Sequence, residues 1–227
     1  MMATNSPVWA RVMNRANEIL ISSNSIVSFP FQAKKVIKEF NGITIKCYSY
    51  QKALEKFQLR VEDFGSESAL LTEFHGRKTL FYNTNKPETH VRFSILHEFG
   101  HDILNHSLTH NNTEQEHCGV QEVETNFFAA QLLMPEQLIR ELQRRGVIIS
   151  ESFLMNTFGV SREAAKKRRA TLNKINWDWR SVEERLTDEA ICLKYAVFLD
   201  SIKQSTFNDL DYFENEYELE NERGSWR

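Results

Sequence analysis

The chain has 227 residues, of which 41% are hydrophobic and 26% charged, with a formal net charge of −3. This mild acidity argues against a general affinity for nucleic acid, anionic membranes or other polyanions. Its three cysteines are far apart and form no CxxC pair, which favours a reduced, cytoplasmic protein over a disulfide framework. Without a signal-peptide pattern or an apolar run of ~20 residues, we expect no secretion and no membrane association.

The first half of the chain predicts two helices followed by strands. Ser6-Pro7 is a typical helix start, and the apolar residues after it recur with helical spacing: Val8, Val12, Ala16, Ile19 and Leu20. A second helix is predicted from Pro30 to Gly42. Residues 43–50 are rich in β-branched and aromatic side chains and predict a strand. Residues 69–83 predict a β-hairpin with His75-Gly76 at its turn.

The second half is predicted to be helical. A helix from about Pro87 to His106 is followed by a polar loop over 109–119 and a helix over 120–134, which Pro135 ends. Residues 151–175 predict two helices separated by Gly159, a helix-turn-helix shape. The tail over 209–222 is strongly acidic. Together these elements predict a mostly helical α+β fold, with a small three-stranded sheet packed on the helix of residues 87–106.

The stretch "SILHEFGHDILNH" (94–106) contains two histidines on one helical face. His97 and His101 are one turn apart, so their imidazoles can point at the same ion. Glu98 lies about 100° round the helix, beside that ion. In such HExxH sites a zinc ion lowers the pKa of a water molecule and the glutamate accepts its proton. The pattern therefore predicts a zinc-dependent hydrolase.

Gly100 stands between the two histidines, in the middle of the predicted helix. A glycine there destabilises a helix by roughly 1 kcal/mol relative to alanine. We therefore expect another element to pack closely against the helix at this position.

A third metal ligand is expected from the helix over residues 120–134, which contains Glu122 and Glu124. Only one of them can face the metal, because they are about 200° apart on a helix. Glu122 shares its face with Asn126, which could orient a ligating histidine, and we favour Glu122 for that reason. Glu124 remains the alternative. His106 lies off the face of His101, and we expect it to form a structural hydrogen bond.

The two segments "FSILHEFGHDILNH" and "EVETNFFAAQLLMP" together resemble the ImmA/IrrE family of metallopeptidases. The matching positions include His97, Glu98, His101, His106, Glu122 and Asn126, followed by "FAAQLLMP". Thr125 departs from the pattern, since alanine is usual before the Asn or Asp. The resemblance extends over about residues 10–175.

This resemblance implies a gluzincin-like zinc endopeptidase with a carboxylate as its third ligand. It also implies a protein substrate, a helix-turn-helix repressor of a phage, mobile element or stress operon. The alternative is a non-catalytic anti-repressor or DNA-binding regulator that keeps the fold. We divide the chain into a zinc metallopeptidase core (1–135), a helix-turn-helix-like segment (136–180) and a helical extension with the acidic tail (181–227).

Two further groups of residues have a functional and a structural interpretation. Residues 79–83 are expected to be an edge strand that binds an extended peptide, with Tyr82 either stabilising an oxyanion or packing across the sheet. A basic cluster could contact DNA or a partner, or could be a solvated helix face. Its candidate contact residues are Lys166, Lys167, Arg168 and Arg169.

Overall fold

The computed structural model describes residues 7–41, 45–106 and 115–202. Its strands are β1 (Ile45–Ser49), β2 (Ala69–Phe74) and β3 (Arg77–Tyr82). Its helices are α1 (Pro7–Ser22), α2 (Ala33–Asn41), α3 (Tyr50–Phe57), α4 (Glu88–Ile103), α5 (Gln115–Leu133), α6 (Glu136–Arg144), α7 (Glu151–Phe158), α8 (Arg162–Leu172), α9 (Val182–Lys194) and α10 (Ala196–Ser201). Short 3-10 turns lie at Val61–Phe64 and Trp177–Trp179. The mostly helical α+β class and the small three-stranded sheet are as predicted.

The three strands form one mixed sheet in the order β1-β3-β2. β2 and β3 are the predicted hairpin, and both turn residues, His75 and Gly76, have the positive φ that tight two-residue hairpin turns need. β3 also pairs with β1 in parallel. The prediction that residues 79–83 form an edge strand is therefore wrong, because β3 has a partner on both sides. Within the described residues, β2 is the edge strand next to α4.

Helix α1 packs on the core through its predicted apolar stripe. Val12, Ala16 and Leu20 are completely buried and Ile19 nearly so. Ser6 and the side chain of Val8 lie outside the described residues. The stripe packs α1 against α5, one of the two helices that form the candidate metal centre.

Helix α2 begins at Ala33, three residues after the predicted start at Pro30. The residues before it are used for packing, since the rings of Phe29 and Phe31 are both buried and form an edge-to-face pair at 5.7 Å. Phe29 also contacts Phe158 of α7, at 5.4 Å between ring centroids. The segment between α1 and α2 thus joins the N-terminal helices to the helix-turn-helix-like segment.

Helices α4 and α5 approach each other closely at Gly100, as its place in the sequence predicted. A Cβ atom added there would lie 3.0 Å from Cδ1 of Phe128 and 3.3 Å from Cγ2 of Thr125. A side chain at this position would make a tighter contact than ordinary packing, and its neighbours would have to shift. The glycine therefore sets how near α5 can lie to the two histidines of α4.

Helix α5 begins earlier than the sequence indicated. Residues 115–119, predicted as part of a polar loop, are its first turn and a half, and the rest of that loop falls within 107–114, outside the described residues. Polar loops and polar helix starts have similar composition, which explains the error. The acidic tail over 209–222 also lies outside the described residues.

The predicted helix-turn-helix shape is present as α7, the turn at Gly159 and α8. Gly159 ends α7 with a φ of +61°, and the hydroxyl of Ser161 accepts a hydrogen bond from the N–H of Ala164 at 3.2 Å. Arg92 of α4 donates a hydrogen bond to the carbonyl oxygen of Gly159. The turn is thus attached directly to the helix that carries the HExxH residues.

All the helices except α3 contribute residues to one main apolar cluster, whereas Tyr50 and Ala53 of α3 belong to a second, smaller cluster. Leu154 and Phe158 of α7 and Ala165 of α8 belong to the main cluster, together with Leu199 of α10. The division of the chain into three segments stays a prediction. None of the helices in the described residues is long and apolar enough to cross a membrane.

Gly100→Ala should be less stable than Gly119→Ala. At position 100 the neighbouring side chains must shift to admit a Cβ atom, and overpacking, which costs about 1–3 kcal/mol, offsets the ~1 kcal/mol that alanine gains in helix propensity. Gly119 is the matched control, because no described atom would lie within 4 Å of its added Cβ. Urea denaturation of both variants measures the difference; an equal gain in stability would contradict the close contact.

Candidate metal centre

Helix α4 places two imidazole rings side by side. His97 and His101 are one turn apart, and their Nε2 atoms lie 3.3 Å from each other. Both side chains are 14% exposed, so the rings are mostly buried but open on one side. Two nitrogen atoms therefore point into one small, partly accessible space.

Helix α5 adds a carboxylate to this pair. One oxygen of Glu122, Oε2, lies 3.2 Å from Nε2 of His97, and its other oxygen, Oε1, lies 3.4 Å from Nε2 of His101. Glu124, the alternative candidate, points elsewhere and contacts His106 and Arg11. The structure therefore brings Glu122, and not Glu124, to the two histidines.

The spacing of the three donor groups fits a divalent metal ion. Their closest donor atoms are separated by 3.2–3.4 Å. Ligand atoms at about 2.0–2.1 Å from a tetrahedral zinc ion would lie about 3.3–3.4 Å apart. Two imidazoles and one carboxylate are also a donor set that zinc accepts in catalytic sites, with a further position left for water or substrate. His97, His101 and Glu122 could thus hold such an ion.

Asn126 orients the first of these histidines. Its side-chain oxygen lies 3.1 Å from Nδ1 of His97, so it accepts the Nδ1 proton and leaves Nε2 for the cluster. Burial lowers the pKa of His97, while the neighbouring Glu122 opposes that shift. The neutral imidazole, which is the form that binds metals, is therefore favoured.

Glu98 is partly buried beside the cluster and is held by the sheet. Its Oε2 atom accepts a hydrogen bond of 2.7 Å from the backbone N–H of Leu71 in β2. Burial raises the pKa of Glu98 to about 7; the hydrogen bond from Leu71 lowers it, and the charge of Glu122 adds to the rise. A carboxylate with a pKa near neutrality is suited to take and return a proton.

His106 makes the structural contacts expected of it, but with partners that the sequence did not indicate. Its Nδ1 lies 3.2 Å from Nδ1 of His101, and its Nε2 lies 2.7 Å from Oε2 of Glu124. No sequence signal pairs these residues, because Glu124 is in α5 and His106, 18 positions earlier, lies beyond the end of α4. The contact depends on how α5 packs beside the end of α4.

Tyr82 is placed in the core of the sheet. Its side chain is 8% exposed, and its hydroxyl accepts a hydrogen bond of 3.2 Å from Nζ of Lys34. These contacts agree with the interpretation that Tyr82 packs within the sheet. No contact in the structure links its hydroxyl to the three candidate ligands, so the oxyanion role has no geometric support among the described residues.

The basic cluster on α8 is only partly available for contacts. Arg168 is 2% exposed and donates to the carbonyl oxygen of Met134 at 2.9 Å, so its assignment as a DNA or partner contact is wrong. The buried guanidinium thus supplies a hydrogen-bond donor to a carbonyl group at the end of α5. Lys166, Lys167 and Arg169 are exposed. Lys167 and Arg169 are paired with acidic side chains, at 2.6 and 3.6 Å respectively.

A sequence model of the Peptidase_M78 family, described as the IrrE N-terminal-like domain, matches residues 54–169. The matched range is just over half of the 227 residues and contains all the residues placed around the candidate metal centre from α4 and α5. The chain has no significant match among curated proteins. The resemblance drawn from the two sequence segments is thereby confirmed.

Glu98→Gln should stabilise the metal-free protein at alkaline pH. The pKa of Glu98 is raised from 4.5 to about 7 in the fold, so wild type loses stability as pH rises through this interval, by roughly 3 kcal/mol. Glutamine keeps an acceptor for Leu71 but carries no charge. Urea denaturation in chelator should therefore separate the two proteins above neutrality and not at acidic pH; a pH-independent difference would contradict the raised pKa.

Proposed function

The chain belongs to the Peptidase_M78 family of metallopeptidase type, and from this premise we propose that it is a zinc-dependent endopeptidase. Its substrate is a regulatory protein in the cytoplasm, a helix-turn-helix repressor of a phage, mobile element or stress operon. The observation that carries the proposal is the convergence of three donor groups at 3.2–3.4 Å beside the partly buried carboxylate of Glu98.

Each residue of the centre has a separate task in peptide hydrolysis. His97, His101 and Glu122 hold the ion. Bound Zn²⁺ supplies Lewis acidity, which lowers the pKa of water and polarises the scissile carbonyl group. Glu98 accepts a proton from the attacking water and delivers it to the leaving amine, as its pKa of about 7 allows.

The substrate backbone is proposed to bind along β2. An extended peptide can add to an exposed sheet edge by main-chain hydrogen bonds. β2 is adjacent to the centre, since the N–H of Leu71 points away from β3 and reaches Glu98. A peptide on this edge would pass beside the catalytic carboxylate. Strand β2 therefore takes the role that the sequence assigned to residues 79–83.

Support for a repressor as the substrate comes from the resemblance to the ImmA/IrrE family, whose members are thought to relieve helix-turn-helix repressors. The alternative is a regulator that binds a repressor or DNA without cleavage. Glu98 favours cleavage, because binding alone does not require a general base beside the metal ligands. The burial of Arg168 removes one of the cations on which the DNA-binding alternative depended.

Wild type should cut the helix-turn-helix repressor of its own operon at one position, and Glu98→Gln should not. The variant loses the proton acceptor and should be at least about 100-fold slower. Mass spectrometry of the products, with and without chelator, measures cleavage. Equal cleavage by both proteins, or cleavage in chelator, would contradict the mechanism. Derepression in cells by Glu98→Gln would favour the binding alternative.

Glu122→Ala should weaken zinc binding strongly. Loss of a residue that only hydrogen-bonds to a ligand lowers metal affinity about 10–100-fold, and loss of a ligand itself should lower it further. The variant removes one of three donor groups. Glu163→Ala is the control, since Glu163 is an exposed helical carboxylate paired with Lys167. Competition for Zn²⁺ with a chromophoric chelator gives the affinities. Equal affinities for the two variants would exclude Glu122 as a ligand.

A further inference from the structure

A line of polar side chains runs from the metal centre to helix α1. His101 contacts His106, at 3.2 Å between their Nδ1 atoms, and Nε2 of His106 lies 2.7 Å from Oε2 of Glu124. Arg11 of α1 donates from Nη2 to both oxygens of Glu124, at 3.1 and 3.2 Å. The side chains of His106 and Glu124 are 4% and 5% exposed. A buried, hydrogen-bonded path thus starts at a candidate ligand.

The chemistry of these groups determines the direction of the hydrogen bonds. A carboxylate only accepts, and Arg11 only donates, so Nε2 of a neutral His106 carries the hydrogen that Glu124 accepts. The Nδ1 atom of His106 is then an acceptor. The Nδ1 of His101 must be its donor, which leaves the lone pair of His101 on Nε2, the atom that faces His97 and Glu122.

We propose that His106 and Glu124 are positioning residues, which hold His101 in the tautomer and orientation that bind the metal through Nε2. The proposal rests on the metal centre of the proposed function. His101 is then oriented by a histidine and a carboxylate, whereas His97 is oriented by the amide of Asn126. A carboxylate at the end of such a chain also increases the basicity of the ligand, which an amide does less.

The line of contacts reaches beyond the matched family region. Arg11 lies outside residues 54–169, on α1, which packs against α5. Arg11 is about half exposed, so its ion pair with Glu124 is partly screened. The buried contacts of His106 and Glu124 therefore carry the positioning role, and Arg11 restricts how the carboxylate of Glu124 is turned.

The competing explanation is that His106 and Glu124 form a buried pair that stabilises the fold and does not affect the centre. Glu136 provides the matched control for this explanation. It is a glutamate of α6 with 4% side-chain exposure, paired with Arg180, and its contacts in the described part of the chain do not involve the candidate ligands. Glu136→Gln should therefore perturb a buried ion pair without altering metal binding.

The first experiment measures the tautomers directly. ¹⁵N chemical shifts of the histidine rings in metal-free wild type, at a pH where the rings are neutral, report which nitrogen carries hydrogen. We expect His101 to be protonated on Nδ1 and His106 on Nε2. This measurement needs no variant and no metal. The opposite tautomer at either ring would overturn the proposal and leave the proposed function standing.

The second experiment compares zinc affinities by chelator competition. His106→Phe should bind zinc about 10–100-fold more weakly than wild type. Glu124→Gln should also bind zinc more weakly than wild type. His106→Asn should recover most of the affinity, because its side-chain oxygen occupies the place of Nδ1 and accepts from His101. Glu136→Gln should match wild type. Circular dichroism verifies that each variant is folded.

The outcomes separate the two proposals. Wild-type affinity in His106→Phe, or an equal loss in Glu136→Gln, would overturn the positioning role while the zinc site stands. No recovery in folded His106→Asn would likewise count against orientation by a hydrogen bond to His101. If wild type binds no zinc, the proposed function fails, and the positioning proposal fails with it.

Discussion

The contact between α4 and α5 at Gly100 is the constraint on which the candidate metal centre depends. A side chain at this position would press against Phe128, so the glycine permits the two helices to lie this close without a shift of Phe128. At that distance Glu122 reaches both histidines of α4, and Asn126, one turn later, reaches His97. A wider separation would leave the imidazoles without the third donor group. The weakest helix-forming residue in α4 thus lies where the candidate metal centre needs the closest packing.

Burial shifts the pKa values of two groups in the centre. The apolar surroundings disfavour charge on His97 and on Glu98, which keeps one imidazole neutral and raises the pKa of the carboxyl group toward neutrality. The same burial requires hydrogen-bond partners for each polar group. Glu98 finds its partner in the backbone of Leu71, at the sheet edge that we propose as the peptide site. One interaction therefore joins the carboxylate that we propose as the general base to the strand that we propose as the peptide site.

Elements outside the two central helices also support the centre. Arg11 connects α1 to Glu124, and through His106 to the second histidine of the HExxH motif. On the other side, Arg92 attaches α4 to the turn at Gly159, between α7 and α8. The helix that carries the candidate ligands is thus fastened to both the N-terminal helix and the helix-turn-helix-like segment, and its orientation depends on both.

Local patterns determined much of this protein from the sequence alone. The helix that places His97 and His101 one turn apart, the hairpin turn at His75-Gly76 and the end of α7 at Gly159 depend on a few neighbouring positions, and the structure has these three features as predicted. The preference for Glu122 came from helix periodicity, which also holds within one element. By contrast, the central place of β3, the burial of Arg168 and the contact of His106 with Glu124 were decided only by the tertiary structure. These features join residues that are distant in the chain, and their geometry depends on how whole elements pack.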